Sequence, residues 1–139
     1  MNGIEYELQV AILQRLKASP IVTAPIYDDL PDVVTYPYIS IDEITALPYK
    51  SKTFNGLEVS AVLSVLTDRG GQGANKKHIA AIRAALTKPL VLREGHIIHA
   101  QEFESARVLE HTIDEAPLTS IKQGIVTFRF KIREGGIAE

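Results

Sequence analysis

A glycine-rich loop, Asp68-Arg69-Gly70-Gly71-Gln72-Gly73, lies between an alternating apolar segment and an amphipathic one. That is where a chain would cradle a phosphate, because N–H groups at a helix N-terminus attract anions. The spacing does not support it. A phosphate-binding loop needs Gly, four residues, then Gly-Lys-Ser/Thr. Counting from Gly70, the second glycine falls on Asn75, and Lys76 is followed by Lys77. The dinucleotide pattern counted from Gly71 ends on Lys76. A plain turn is the better reading, and no cofactor is expected.

Histidines and carboxylates are the next candidates. His96 and His99, near Glu94 and Glu102, could suggest a metal. In a strand, however, an odd spacing puts them on opposite faces. No His-Glu-x-x-His pair exists, and His78 and His111 read as surface residues, so no metal site is expected. Asp28, Asp29 and Asp32, then Asp42 and Glu43, form an acidic cluster among prolines. Paired carboxylates can run acid–base chemistry or bind Mg²⁺. No serine–histidine or lysine partner stands at a recognisable spacing, so an acidic rim is favoured and no catalytic residue is expected.

The basic residues are more informative. Lys76, Lys77 and Arg83 flank the apolar stripe of the second helix, and Arg129, Lys131 and Arg133 form a ladder on the last strand. Three readings stand: solvation or cross-strand pairing with Glu58, Glu102 or Glu104; contact with the acidic half of an identical neighbour, head to tail, closing a ring; or a surface that DNA passes without sequence specificity.

The elements that hold these residues follow from periodicity. Ile4, Leu8, Ala11, Ile12 and Leu16 make one stripe, so a helix is expected from about Gly3 to Lys17, opened by Asn2 and Glu5 and stopped at Ser19-Pro20. Four prolines between 20 and 37 leave an extended connection with a short strand near Ile26-Tyr27. Tyr38 to Leu47 reads as a strand with Ile39 and Ile41 on one face. Pro48–Gly56 reads as a polar loop ending in Asn-Gly, and Leu57–Leu66 as the next strand. A second helix is expected over Ala74–Leu86, with Ile79, Ile82 and Leu86 inward. Two strands follow, near 97–100 and 103–109, then a polar stretch, His111–Gln123, and a strand with Val126, Phe128, Phe130 and Ile132 on one face. The expected fold is α+β: an antiparallel or mixed sheet of about four to five strands with two helices packed on one face. Residues 1–133 are expected to form a single domain, with 134–139 as a frayed tail.

Composition agrees. The chain has 139 residues, 45% hydrophobic and 23% charged, enough for a core without staples. It contains no cysteine, which excludes disulfides and thiol chemistry. No apolar run reaches membrane-spanning length, the N-terminus lacks a signal-peptide pattern, and no membrane partner is expected. Net charge is −2, so bulk charge does not attract nucleic acid. Residues 1–60 hold four basic and eight acidic side chains, residues 61–139 eleven and nine, and Arg69–Arg93 holds six basic residues and no acidic one.

Several segments together resemble a known family. Ile26-Tyr27-Asp28-Asp29-Leu30-Pro31 followed by Tyr36-Pro37-Tyr38-Ile39-Ser40-Ile41 is similar to a signature of the tail-completion proteins of long-tailed bacteriophages, also called tail terminators, with relatives in prophages and gene transfer agents. Lys52-Thr53-Phe54-Asn55-Gly56-Leu57-Glu58-Val59 resembles that family's next step. Lys76–Leu86, Ala106–Leu109 and Gly124–Phe130 fit its remaining order; Thr112–Ser120 departs from it, being longer and proline-bearing.

The resemblance implies a small α/β domain without catalysis. It implies a ring, typically a hexamer, at the head-proximal end of the tail tube, ending tube growth and binding the head connector and neck proteins. Assembly in the host cytoplasm and residence in the virion tail follow. The candidate contacts are Asp28, Asp29, Asp32, Tyr49, Lys50, Lys52, Phe54, Lys76, Lys77 and Arg83. The alternatives are another neck component of the head-closure type, or a small nucleotide- or DNA-binding domain.

Overall fold

The structure is a computed structural model that describes residues 3–50, 55–93, 95–113 and 119–134; the side chains of 49, 50, 113 and 119 lie outside that description. Seven elements follow in order: α1 (Ile4–Ala18), β1 (Ile26–Tyr27), β2 (Tyr38–Lys50), β3 (Asn55–Thr67), α2 (Gly71–Ala85), β4 (Ile97–Ile113) and β5 (Thr119–Arg133). The strands form one mixed sheet in the order β1-β2-β3-β5-β4. Only β1 pairs in parallel, with β2; the other ladders are antiparallel.

Both helices pack on one face. Ile4, Leu8, Ile12 and Leu16 of α1 and Ile79 and Ile82 of α2 share one core with Ile39, Ile41, Val59, Leu63, Val126, Phe128, Phe130 and Ile132. The expected stripes and the expected α+β architecture are therefore those observed. Ser19-Pro20 follows the last residue of α1 as expected, but Gly3 is its N-cap and no side chain caps it; Asn2 lies outside the described residues.

Bulges account for where the strand expectations fail. Asp42 is the extra residue of a bulge between Ile41 and Glu43. Before it Ile39 and Ile41 face the helices; after it the phase shifts by one, so that Ile44 and Ala46 pack on the core. In β4 two register shifts, between Ile98 and Ala100 and between Phe103 and Ser105, break the alternation twice. The two short strands expected there are one strand of 17 residues. The loops expected at Pro48–Gly56 and His111–Gln123 are largely strand: β2 runs to Lys50, β3 begins at Asn55, β4 runs to Ile113 and β5 begins at Thr119.

The start of α2 is also corrected. It begins at Gly71, so Gly71–Gly73 are helical rather than loop. Gly70 precedes it at φ 81°, where a Cβ would also meet Ala74 Cβ. No helix among the described residues is long and apolar enough to cross a membrane.

Candidate functional site

One transverse row crosses all five strands: Ile26 beside Ile39, Val65, Gly124 and Val108. The acidic segment emerges at one end of this row. Directly after β1, residues 28–33 are all exposed, including Asp28, Asp29 and Asp32. The α1 side chain Gln9 donates from Nε2 to Asp28 Oδ2 at 3.5 Å, which sets the segment on the helix side of the sheet. Behind it, the Tyr38 ring lies 6.2 Å from that of Tyr27 and 5.6 Å from that of Tyr36. Burial, then Tyr36 and Asp42, raises the Tyr38 hydroxyl pKa above its usual value.

The basic helix stands at the other end. Lys76, Lys77 and Arg83 are exposed on α2. The helix covers β5 and β3 but leaves the helix side of the edge strand β4 partly open. A groove of about 460 Å³ results, with Gln72, Lys76, Ala80 and Arg83 on one wall and Ala106, Arg107 and Val108 on the other. It meets a second hollow, of about 410 Å³, at Ala80 and Arg83. The Arg83 guanidinium carbon lies 3.8 Å above the centre of the Phe103 ring, which contacts Phe128 edge-on at 5.8 Å.

Two clasps fix α2. Asn75 is fully buried and its Nδ2 donates to Val65 O at 3.0 Å, Thr67 Oγ1 at 3.1 Å and Lys122 O at 3.2 Å. Its Oδ1 has no hydrogen-bond partner and rests against Gly124. At the other end Arg15 of α1 donates from Nη1 to Ala85 O at 3.0 Å and Lys88 O at 2.8 Å, and from Nη2 to Pro89 O at 3.2 Å. Gln101 of β4 adds Nε2 bonds to Leu86 O at 2.8 Å and Lys88 O at 2.9 Å. The position where a nucleotide loop needs glycine is thus a helix–sheet clasp.

The opposite face of the sheet carries a hydrogen-bonded chain that the linear sequence does not reveal. Asp42 accepts from Ser40 Oγ at 2.6 Å and from Ser64 Oγ. Gln123 donates to Ser64 Oγ at 3.0 Å, and His111 Nε2 lies 2.7 Å from Gln123 Oε1. It joins β2, β3, β5 and β4, because the Asp42 bulge turns that carboxylate over Ser64. His111 bonds to the glutamine and not to a serine, so the arrangement cross-links strands and is no nucleophile–base pair. On the same face Arg129 meets Glu104 at 2.5 Å and Glu58 at 3.5 Å, which is the cross-strand pairing expected for that ladder.

Of the expected contacts, Asp28, Asp29 and Asp32 gather at one end of the sheet and Lys76, Lys77 and Arg83 at the other. Tyr49 and Lys50 lie in β2 rather than in a loop, and Lys52 and Phe54 lie outside the described residues. His78 is half-buried, not a surface residue, and burial lowers its pKa. It lines a hollow of about 470 Å³ with Tyr36, Asp68 and Arg69. No group of three or more metal-ligating side chains occurs among the described residues.

The family described as "Tail completion protein gp17" matches residues 10–133. A chain in a solved structure titled "Virion of native gene transfer agent (GTA) particle" is similar, at 26% identity and a TM-score of 0.79, over 96% of this chain and 100% of that one. No curated protein matches the sequence.

Proposed function

The chain belongs to the tail completion protein family, and on that footing we propose that it is the subunit of a ring, a hexamer, that caps the head-proximal end of a phage tail tube. Membership makes it a structural protein of phage tail assembly. The finer reading is ours: the ring ends tube growth and joins the tube to the head connector, without catalysis. Residues 1–133 serve as one domain, and assembly takes place in the host cytoplasm. The tube protein and the neck proteins are the further partners, and DNA passes the ring without being read.

The observation that carries this reading is the placement of unlike charge at opposite ends of one row of the sheet. A ring subunit needs two different, complementary surfaces, and copies joined head to tail by a rotation without axial translation close rather than form a filament. The acidic segment leaves β1 beside the row that ends at Val108 of the groove, and both lie on the helix side of the sheet.

The test is light scattering behind size exclusion at low salt and high protein concentration, with negative-stain imaging, repeated after mixing with purified tail tubes. A ring with a central hole, or a cap on one end of each tube, is the expected result. Tubes that acquire no cap and continue to grow overturn the proposal and favour a head-closure component.

A further inference from the structure

The groove between α2 and β4 has Ala106 and Val108 along its β4 wall, with Arg107 beside them, and is cationic along its helix wall, with Lys76 and Arg83. Such a groove selects a segment that carries carboxylates and small apolar side chains together. The chain itself displays one. Asp28, Asp29 and Asp32 share the segment with Leu30, 49% exposed, and Val33, 83% exposed. Two exposed apolar side chains within one short acidic loop have no role in the subunit's own core.

We propose that the 28–33 loop of one copy seats Leu30 and Val33 in the α2–β4 groove of the next, its aspartates facing Lys76 and Arg83. This rests on the ring reading and names the contact that closes the ring. Three observations support a second copy as the occupant. Loop and groove have opposite charge and matched apolar content. Both lie on the helix side of the sheet. The loop leaves β1 at Tyr27, one residue beyond Ile26, and Val108 of the groove ends the same row of paired residues that starts at Ile26. Neighbours related by a rotation about an axis along the strands would present the loop at the height of Val108.

The absence of cysteine makes the contact directly testable, since any introduced thiol is unique. Leu30→Cys and Ala80→Cys are made in separate copies, both at exposed positions. The two are mixed at high concentration in low salt and treated with a short bismaleimide, with Thr45→Cys, equally exposed but on the opposite sheet face, replacing Ala80→Cys as the control. The linked dimer is expected at about tenfold the control yield. Lys76→Glu with Arg83→Glu in the Ala80→Cys copy abolishes it, and Asp28→Lys with Asp29→Lys in the Leu30→Cys copy restores it. If that pair lowers the melting temperature, Lys76→Glu alone is used. A yield equal to the control overturns the contact. Caps seen on tubes without the linked product overturn this contact and leave the cap reading standing. The linked product without caps supports the contact and counts against the cap.

Discussion

Gly124 and Asn75 can be tested as one unit. In β5, Gly124 pairs with Val65 and Val108 beneath α2. Alanine for glycine in a strand ordinarily stabilises by roughly 0.4–1 kcal/mol through the unfolded chain. Here the new Cβ would overlap Asn75 Oδ1 and come 2.8 Å from Ile79 Cδ1. The Ile79 methyl can rotate away. The amide cannot, because its Nδ2 is held by Val65, Thr67 and Lys122. Overpacking against a fixed group costs about 1–3 kcal/mol, so Gly124→Ala should destabilise by about 2 kcal/mol. Asn75→Ala forfeits hydrogen bonds worth about 2 kcal/mol net and opens a cavity, but it also removes a buried oxygen without a partner, so its cost is again about 2 kcal/mol. In the double variant the clash is gone and the new methyl partly fills the space. Its cost should be about 2 kcal/mol rather than about 4, a coupling near 2 kcal/mol. Urea unfolding followed by circular dichroism reads this directly, each single change lowering the midpoint by about 1 M. If the two effects add to within about 0.5 kcal/mol, Gly124 is not reserved for the amide and the clasp is wrongly described.

Two further expectations concern the helices and pH. Arg15→Ala should cost about 1–2 kcal/mol, because its guanidinium serves three carbonyls at the end of α2, and Arg15→Lys should recover less than half, since an ammonium cannot span them; urea midpoints decide. His78 is held below its usual pKa by burial, so the folded state favours the neutral ring. Its contribution is present above the unfolded value, about 6.5, and is lost as pH falls below it, because the unfolded chain takes up the proton more readily. The urea midpoint of the native chain should therefore drop more between pH 7 and pH 5 than that of His78→Gln; parallel curves would refute the assignment.

Single-face periodicity was legible wherever one residue in two or one stripe in a helix met the core. The α1 and α2 stripes, the β3 alternation and the Val126–Ile132 run all face the helices as their spacing demands. The misreadings fall where the chain departs from period two. Ile98, Gln101, Phe103, Ala106 and Val108 line the helix side of β4 at spacings of three, two, three and two, a sequence that no alternation rule follows. The polar strand ends look like loops in the sequence because Thr112 pairs with Ser120 across the β4–β5 ladder and the His111 side chain bonds to Gln123 instead of packing on a core. The site was legible as composition but not as geometry. An acidic half and a basic half could be counted, whereas their arrival at two ends of one row depends on strand order.

That strand order bears on why such a ring would be weak in isolation. A contact made by a six-residue loop in a groove buries well under the roughly 1,600 Å² of a standard stable interface. Its charges are exposed, and exposed pairs contribute about 0–1 kcal/mol each and are screened by salt. On the proposed reading a free subunit therefore has little reason to close a ring in solution. A tube end changes this by holding several copies side by side, which turns each loop–groove contact into a local event at high effective concentration. Closure would then follow the tube and not precede it. On that reading, a groove open on its edge strand and lined by exposed cations suits a cap that has to wait for its template.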